Sequence, residues 1–170
     1  MRNIFRVYPD KLIAIENITP EAASLEIIRQ LFLAYQLELG ADLCFQNFEK
    51  ELANPFIKYG PPNGALLLAT YNEEIVGCVA LQPLEEAGVC EMKRLYVKPA
   101  FRQYKIGKAL VEAIIAKAID MEYKLMKLDT LSKLKPAIAL YLQNGFEETT
   151  AYYSNPLENV VYMQKQLQQV

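Results

Sequence analysis

The chain has 170 residues, of which 52% are hydrophobic and 22% charged, and its net charge is −2. These values are ordinary for a soluble globular domain, and they provide no positive field that would attract nucleic acid or an anionic membrane surface. The sequence contains no histidine, which excludes Ser-His-Asp and Cys-His catalysis, a His general base and His-ligated zinc. We therefore expect one domain over residues 1–170, with no bound metal and no nucleic-acid or membrane partner.

The N-terminus and the cysteines indicate the compartment. The segment Met1-Arg2-Asn3-Ile4-Phe5-Arg6 lacks the apolar stretch and the small-residue cleavage site of a signal peptide. Cys44, Cys78 and Cys90 are widely spaced, so they fit neither a disulfide framework nor a CxxC metal site. We interpret them as small buried apolar residues, and we expect a cytoplasmic protein.

The first half of the chain changes from helical to strand periodicity. In chain order, the pattern predicts a strand at 12–18, helices at about 20–39 and 43–52, and strands at 65–71, 75–81 and 89–97. Pro20 is suited to the start of the first helix and Gly40 to its end. The three later strands follow one another through short turns, which predicts an antiparallel meander.

After Pro99 the period of the apolar residues changes to that of a helix. The pattern predicts a helix at 106–121, a strand at 125–130, a helix at 134–144, and strands at 146–148 and 160–167. A strand on each side of the long helix implies a β-α-β crossover and one parallel strand pair. The sequence therefore predicts an α/β fold with a mixed, mostly antiparallel, twisted sheet of about seven strands and about four helices.

A cationic loop joins the third strand of the meander to the long helix. Arg102, Lys105 and Lys108 lie where the strand has ended and the helix begins. The free amide groups and partial positive charge of a helix N-terminus bind phosphates, and these cations add formal charge there. The pattern is that of a pyrophosphate site, although a solvated basic loop explains the same residues equally well.

Three blocks of sequence, over about a third of the chain, resemble the GNAT acetyltransferase family. The family's phosphate loop, Q/R-x-x-G-x-G/A, corresponds to Arg102-Gln103-Tyr104-Lys105-Ile106-Gly107. The segment Met92-Lys93-Arg94-Leu95-Tyr96-Val97 resembles the splayed central strand of the family. Leu128-Asp129-Thr130 and the later Ala137-Ile138-Ala139-Leu140-Tyr141-Leu142-Gln143-Asn144-Gly145-Phe146 resemble its next strand and its Ala…Leu-Tyr…Gly-Phe helix. Lys105 stands where the family has its first glycine, which puts the loop geometry and the affinity for phosphate in question.

The resemblance implies transfer of an acetyl group from acetyl-CoA to an amine of a small-molecule or peptide acceptor. The strand residues Leu95, Tyr96 and Val97 would bind the pantetheine arm as if it were an added strand. That binding requires the parallel pair to splay apart and leave a slot. The residues implied in holding the pyrophosphate are Arg102, Gln103, Tyr104, Lys105, Ile106, Gly107 and Lys108.

Two residues are candidates for proton transfer. Tyr141 matches the family tyrosine that resembles a general acid for the leaving thiolate; its alternative role is packing in the core. Glu91 is the candidate base, because a carboxylate within an apolar strand can have a raised pKa. Alternatively, it is a surface charge paired with Lys93 or Arg94, and the amine loses its proton through water.

Two other classes of function stay open on the sequence alone. One is a non-catalytic acyl-CoA-binding or sensor domain of the same fold, and the other is an interaction module that uses the sheet as a scaffold. The acceptor is not identified: Glu38, Asp42 and Glu49 could attract a cationic amine, or they could be solvated helix residues. A homodimer through the last strands is compatible with the sequence, although no residue pattern indicates it.

Overall fold

The computed structural model describes residues 13–22 and 25–168. One seven-stranded sheet forms its centre. The strands are β1 Ile13–Asn17, β2 Ala65–Tyr71, β3 Glu74–Pro83, β4 Val89–Val97, β5 Leu125–Leu131, β6 Glu147–Thr149 and β7 Val160–Gln166. Their spatial order is β1-β2-β3-β4-β5-β7-β6, and every neighbouring pair is antiparallel except β4 and β5.

The helices lie before β2, between β4 and β5, and after β5. Within the described residues they are α1 Leu25–Leu39, α2 Phe48–Ala53, α3 Phe56–Tyr59, α4 Ile106–Asp120 and α5 Lys135–Gln143. Short 3-10 turns occupy Pro20–Ala22, Cys44–Gln46 and Pro99–Tyr104. Leu12 of the first predicted strand, residues 23–24 of the first predicted helix and the N-terminal segment lie outside the described residues. In the part of the chain that the structure describes, no helix is both long enough and apolar enough to cross a bilayer.

Both faces of the central strands are covered by helices. On one face α4 packs against the sheet and buries Ile106, Leu110 and Ile114 completely. On the other face α1, α2 and α3 form a second apolar layer, in which the rings of Phe32 and Tyr59 meet edge to face at 6.1 Å. Strands that are buried on both faces lack an alternating pattern, which explains the continuous apolar runs in β2 and β3.

The parallel strands β4 and β5 begin as a pair and then separate. Their register joins Val89 with Leu125 and ends at the pair of Glu91 with Lys127. Beyond Glu91 the two strands share no further pairs among the described residues. The predicted mixed sheet with a splayed central parallel pair is therefore confirmed.

A β-bulge in β4 lies just beyond this separation. Between the pairs that Cys78 and Ala80 make with β4, β3 contributes one residue and β4 contributes two, Arg94 and Leu95. Arg94 has a φ of 58°, and this left-handed conformation costs an L-residue about 1–2 kcal/mol. A bulge bends its strand and increases the local twist, so it turns the end of β4 away from β5.

The interpretation of the cysteines is confirmed for two of them and wrong for the third. Cys78 and Cys90 are buried, and burial raises the pKa of each thiol to about 12. Cys44 is exposed. Its backbone N–H donates to Asp42 Oδ1 at 2.9 Å, which starts a turn at the surface and directs the thiol to solvent rather than to the core.

Gly77 lies where β3 passes very close to β4. A Cβ added at this position would meet the carbonyl oxygen of Tyr96 at 2.7 Å, so the two strands would have to move apart. We expect Gly77→Ala to lower the free energy of unfolding by about 1–3 kcal/mol, measured by urea denaturation. Gly107→Ala is the matched control, because its added methyl group would meet its nearest atom at 3.5 Å. An equal loss of stability in both variants would contradict this explanation.

Candidate functional site

Three adjoining cavities lie along β4, from its last pair with β5 to its separated end. The cationic cleft, which includes Arg102, Lys105 and Lys108, has a volume of about 530 Å³. The polar cavity, which includes Glu91 and Tyr152, has a volume of about 560 Å³. A central cavity of about 60 Å³ lies between them. It has several wall residues in common with the cationic cleft and two, Gln46 and Lys93, in common with the polar cavity.

The cationic cleft brings together most of the residues that the sequence assigned to coenzyme binding. Seven of them line it: Leu95, Tyr96, Val97, Arg102, Lys105, Gly107 and Lys108. The side chains of the other three point elsewhere. Gln103 is exposed and donates to the carbonyl of Ala100 at 2.9 Å, Tyr104 stacks on Tyr71 at 4.6 Å, and Ile106 is fully buried in the core. These three can therefore contribute backbone amides to the cleft but not side chains.

Lys105 adopts the backbone conformation that favours glycine. It is the N-cap of α4, with a φ of 60° and a ψ of 23°, and its carbonyl accepts the N–H of Ala109 at 3.1 Å. The left-handed conformation costs lysine about 1–2 kcal/mol. The backbone at Lys105 thus has the left-handed turn that suits a glycine, and this lowers the stability of the chain. The side chain of Lys105 adds a positive charge to the wall of the cleft.

Gly107, the second residue of α4, leaves open space at the start of the helix. An added Cβ would lie 3.5 Å from Leu140 and 3.9 Å from Val97, which are ordinary contacts. Packing within the described chain therefore does not require a glycine here, although glycine in a helix is up to about 1 kcal/mol less favourable than alanine. A ligand that approaches the helix backbone closely would explain the residue.

Arg102 is held in position across the cationic cleft. Its Nε donates to the carbonyl of Val97 at 2.9 Å, and its guanidinium lies 5.8 Å from the ring centroid of Tyr96. Its Nη2 forms an ion pair with Glu38 of α1. Glu38 thus lies beside the basic loop in the cationic cleft, and an anionic ligand of Arg102 would compete with its carboxylate.

Tyr141 of α5 lines the central cavity. It is 7% exposed and packs against Phe146 with the ring centroids 5.9 Å apart. Burial raises the pKa of its hydroxyl well above the ordinary value, and the nearby Tyr35 and Asp129 raise that pKa further. The hydroxyl is protonated near neutral pH, as that of an ordinary tyrosine is, and the raised pKa makes it a weaker acid.

Glu91 lies in the polar cavity, so the two catalytic candidates do not line the same cavity. Its carboxylate is 3% exposed and accepts hydrogen bonds from Gln82, at 2.7 Å, and from Tyr152. Lys93 Nζ lies 3.8 Å away. The alternative of a surface charge is therefore wrong, because the neighbouring strands and Tyr152 cover Glu91, whereas its pairing with Lys93 is observed.

Asp129 of β5 is a site residue that the sequence analysis did not single out. It lines the central cavity with Tyr141. Its carboxylate accepts hydrogen bonds from Lys93 at 3.1 Å, Tyr153 at 2.7 Å and Asn155 at 3.0 Å. Burial raises the pKa of Asp129, but the charge of Lys93 and the hydrogen bonds lower it more, so the net pKa lies below the ordinary value.

One signal in the sequence could have located Asp129. In β5 the alternate residues Met126, Leu128 and Thr130 are buried, whereas Lys127 and Asp129 lie on the opposite face. A charged pair at alternate positions of a central strand is unusual, since central parallel strands are normally apolar on both faces. The partner of each charge, however, comes from another strand or loop, and the strand pattern does not identify it.

The strain at Lys105 can be measured with two variants that both remove its ammonium group. Glycine relieves the left-handed strain and alanine retains it, so we expect Lys105→Gly to be more stable than Lys105→Ala by about 0.5–1 kcal/mol. Urea denaturation of the two variants gives the difference directly. Equal stabilities, or a more stable alanine variant, would show that position 105 is not strained.

Comparison with known proteins agrees with this geometry. The model of the Acetyltransferase (GNAT) family matches residues 25–146. An uncharacterised N-acetyltransferase of Schizosaccharomyces pombe is 47% identical over 84% of this chain and 88% of its own length. The crystal structure of a GNAT family acetyltransferase from Staphylococcus aureus has a TM-score of 0.76 at 24% identity, covering 92% of this chain and 99% of that one. A GNAT family acetyltransferase from Elizabethkingia anophelis, solved with acetyl-CoA bound, has a TM-score of 0.63 at 25% identity, covering 91% and 98%. The chain belongs to the GNAT family of acetyltransferases.

Proposed function

We propose that this protein transfers an acetyl group from acetyl-CoA to the amine of a small-molecule or peptide acceptor. The observation that carries the proposal is the row of three cavities along β4, from its last pair with β5 to its separated end. One end is cationic, the other is polar, and Tyr141 lies at the junction. This arrangement lets donor and acceptor enter from opposite sides, which suits direct attack on a thioester.

The cationic cleft is the proposed site of acetyl-CoA. Arg102, Lys105 and Lys108 supply charge for the phosphate groups, and the first turn of α4 lines the same cleft through Gly107 and Lys108. The edge of β4 that faces β5 has no partner strand beyond Glu91 in the described residues. Its backbone at Leu95 is therefore available to a pantetheine arm that binds as an additional strand, whereas the carbonyl of Val97 already accepts a hydrogen bond from Arg102 Nε at 2.9 Å.

The proposed chemistry requires two proton transfers. The neutral amine nitrogen attacks the thioester carbonyl carbon, and the carbon–sulfur bond breaks to release the thiolate of CoA. An acceptor that enters as an ammonium ion first loses one proton to solvent. Tyr141 donates its proton to the sulfur, and the nitrogen, positively charged after the attack, gives its proton to Glu91 directly or through water; transfer of that proton through solvent to Tyr141 restores both groups. The backbone N–H of Leu95 polarises the carbonyl oxygen. The positions of Tyr141 in the central cavity and of Glu91 in the adjoining polar cavity support these roles.

The polar cavity supports a hydrophilic acceptor. Its wall contains carboxylates, ammonium groups, amides and tyrosine hydroxyls, and Leu84 is the aliphatic residue among its described members. The wall of the polar cavity carries three lysines and three glutamates. Where this cavity meets the central cavity, however, Glu91 and Asp129 share one cation, Lys93, so an ammonium group of the acceptor would pair with carboxylate charge at that junction. The cytoplasmic location, the single domain and the homodimer stay predictions of the sequence.

The first test is binding of acetyl-CoA, measured by isothermal titration calorimetry. We expect a Kd in the micromolar range, about −8 kcal/mol, for the wild-type chain. Gly107→Ala and Arg102→Ala should each weaken binding at least about tenfold, the first by filling the approach to α4 and the second by removing a cation. Glu38→Gln should bind at least as tightly as wild type, because it removes a carboxylate that competes for Arg102. A folded wild-type chain that does not bind acetyl-CoA would rule out the proposed function.

The second test is turnover, measured as thiol release with a panel of amines at saturating acetyl-CoA. We expect Tyr141→Phe to lower kcat by about 10²-fold or more and to leave the KM for acetyl-CoA unchanged, since it removes a proton donor but no binding contact. The control is Tyr123→Phe, which removes a hydroxyl that donates to the carbonyl of Asn63 at 2.6 Å, outside the three cavities. Tight binding of acetyl-CoA without turnover on any amine would instead favour a non-catalytic acyl-CoA sensor.

A further inference from the structure

A buried ion pair joins α2 to the bulge of β4. Arg94 Nε donates to Glu51 Oε1 at 2.7 Å, and Arg94 Nη2 donates to Glu51 Oε2 at 3.0 Å. The side chains are 1% and 0% exposed. Two parallel hydrogen bonds between a guanidinium and a carboxylate fix orientation as well as distance, so Glu51 determines where the Arg94 side chain lies.

The surroundings of Arg94 leave its side chain in one position. The guanidinium lies between two rings, 5.6 Å from the centroid of Tyr35 and 5.3 Å from that of Phe48. Its Nη2 also donates to Gln46 Oε1 at 2.9 Å. Burial raises the pKa of Glu51, but the hydrogen bonds and charge of Arg94 lower it more, and the carboxylate stays ionised.

The backbone of Arg94 forms the bulge itself. Its φ of 58° belongs to the left-handed region that a bulky residue rarely adopts without support. The carbonyl oxygen of Arg94 accepts the thiol of Cys78 at 3.3 Å, and the next residue, Leu95, lines both the central cavity and the cationic cleft. The direction of the β4 edge beyond the bulge therefore depends on contacts that hold the Arg94 side chain.

Stability alone is a weak reason for such a pair. Two buried charges lose their hydration, and apolar residues of similar volume are often at least as stabilising. A forked ion pair, in contrast, specifies a single geometry. The geometry that the Arg94–Glu51 pair specifies is that of the β4 edge, which forms part of the proposed coenzyme site.

We propose that Glu51 is a positioning residue for acetyl-CoA, acting through Arg94 to hold the β4 bulge. Among the described residues Glu51 is part of the wall of none of the three cavities, so it acts without touching the coenzyme. The inference rests on the proposed function, because it assigns the β4 edge to the pantetheine arm. It adds a residue from α2, 43 positions away in the chain, to the determinants of that site.

Acetyl-CoA titrations of the folded variants Glu51→Gln and Glu51→Asp test this role. Gln keeps the shape of Glu51 but loses the charge and one acceptor, and Asp keeps the charge on a shorter side chain. We expect at least tenfold weaker binding by Glu51→Gln and an intermediate affinity for Glu51→Asp. Leu67→Ala is the control for lost stability, because Leu67 is fully buried in β2 and lines none of the three cavities in the described chain. It should bind acetyl-CoA as the wild type does.

Hydrogen exchange of the peptide that contains Leu95 supplies an independent readout. We expect faster exchange there in Glu51→Gln than in wild type or Leu67→Ala, because the bulge loses its support. Wild-type affinity and exchange in folded Glu51→Gln, or in Glu51→Asp if the first variant does not fold, would overturn the role of Glu51 and leave the proposed function intact. Equal weakening in Leu67→Ala would overturn it as well. Failure of the wild-type chain to bind acetyl-CoA would remove both proposals.

Discussion

The separation of β4 from β5 is the constraint on which the rest of the site depends. Two parallel strands in the middle of a sheet normally pair along their length, since unpaired backbone groups are costly to bury. Here the pairing ends at Glu91, and the bulge at Arg94 carries the remainder of β4 in another direction. This separation opens the central cavity, which adjoins a large cavity on each side. It also leaves an edge of β4 whose backbone groups need hydrogen-bond partners. Water or an extended ligand can supply those partners, which is why a gap in the sheet is suited to binding the pantetheine arm.

The buried charges around the gap are distributed unevenly. Glu51 is paired with two cations, Arg94 at 2.7 Å and Lys58 at 3.1 Å. Asp129 and Glu91 together are paired with one, Lys93, at 3.1 and 3.8 Å. In a region of low dielectric, such a local imbalance has a larger effect on the binding of a charged group than the net charge of the chain has. The bulge is thus held by a surplus of positive charge, whereas the cluster of Asp129, Glu91 and Lys93, where the central and polar cavities meet, carries a surplus of negative charge that suits an ammonium group.

Much of the fold could be predicted from local sequence, whereas the site could be predicted only in part. The predicted strands at 65–71 and 89–97 agree with β2 and β4 residue for residue, because turn residues mark the ends of both segments and leave few alternatives. The turn α3 and the 3-10 segment Pro99–Tyr104 were not predicted, since such short pieces have little periodicity. The basic loop was recognised because its charges are adjacent in sequence. Asp129 and Glu51 were not recognised, because their partners lie 36 and 43 residues away in the chain. The pattern of a strand or helix indicates which face a residue lies on but not which residue it contacts.

Two residues in the left-handed conformation lie close to the proposed coenzyme site, Arg94 in β4 and Lys105 at the start of α4. Several non-glycine residues with positive φ lie in turns or at helix ends, including Asn72 and Glu122, where the left-handed conformation reverses or ends the chain segment. Arg94 adopts the left-handed conformation inside a strand, and Lys105 adopts it in the cationic loop. Gly107 adds a poor helix former at a position where the surrounding atoms would accept a larger residue. Each of these three residues lowers the stability of the isolated chain. Lys105 and Gly107 line the cationic cleft, and Arg94 directly precedes Leu95, which lines it too. A fold optimised for stability alone would have avoided them, so their coincidence is best explained by the demands of a ligand that contacts backbone at the bulge and at the start of α4.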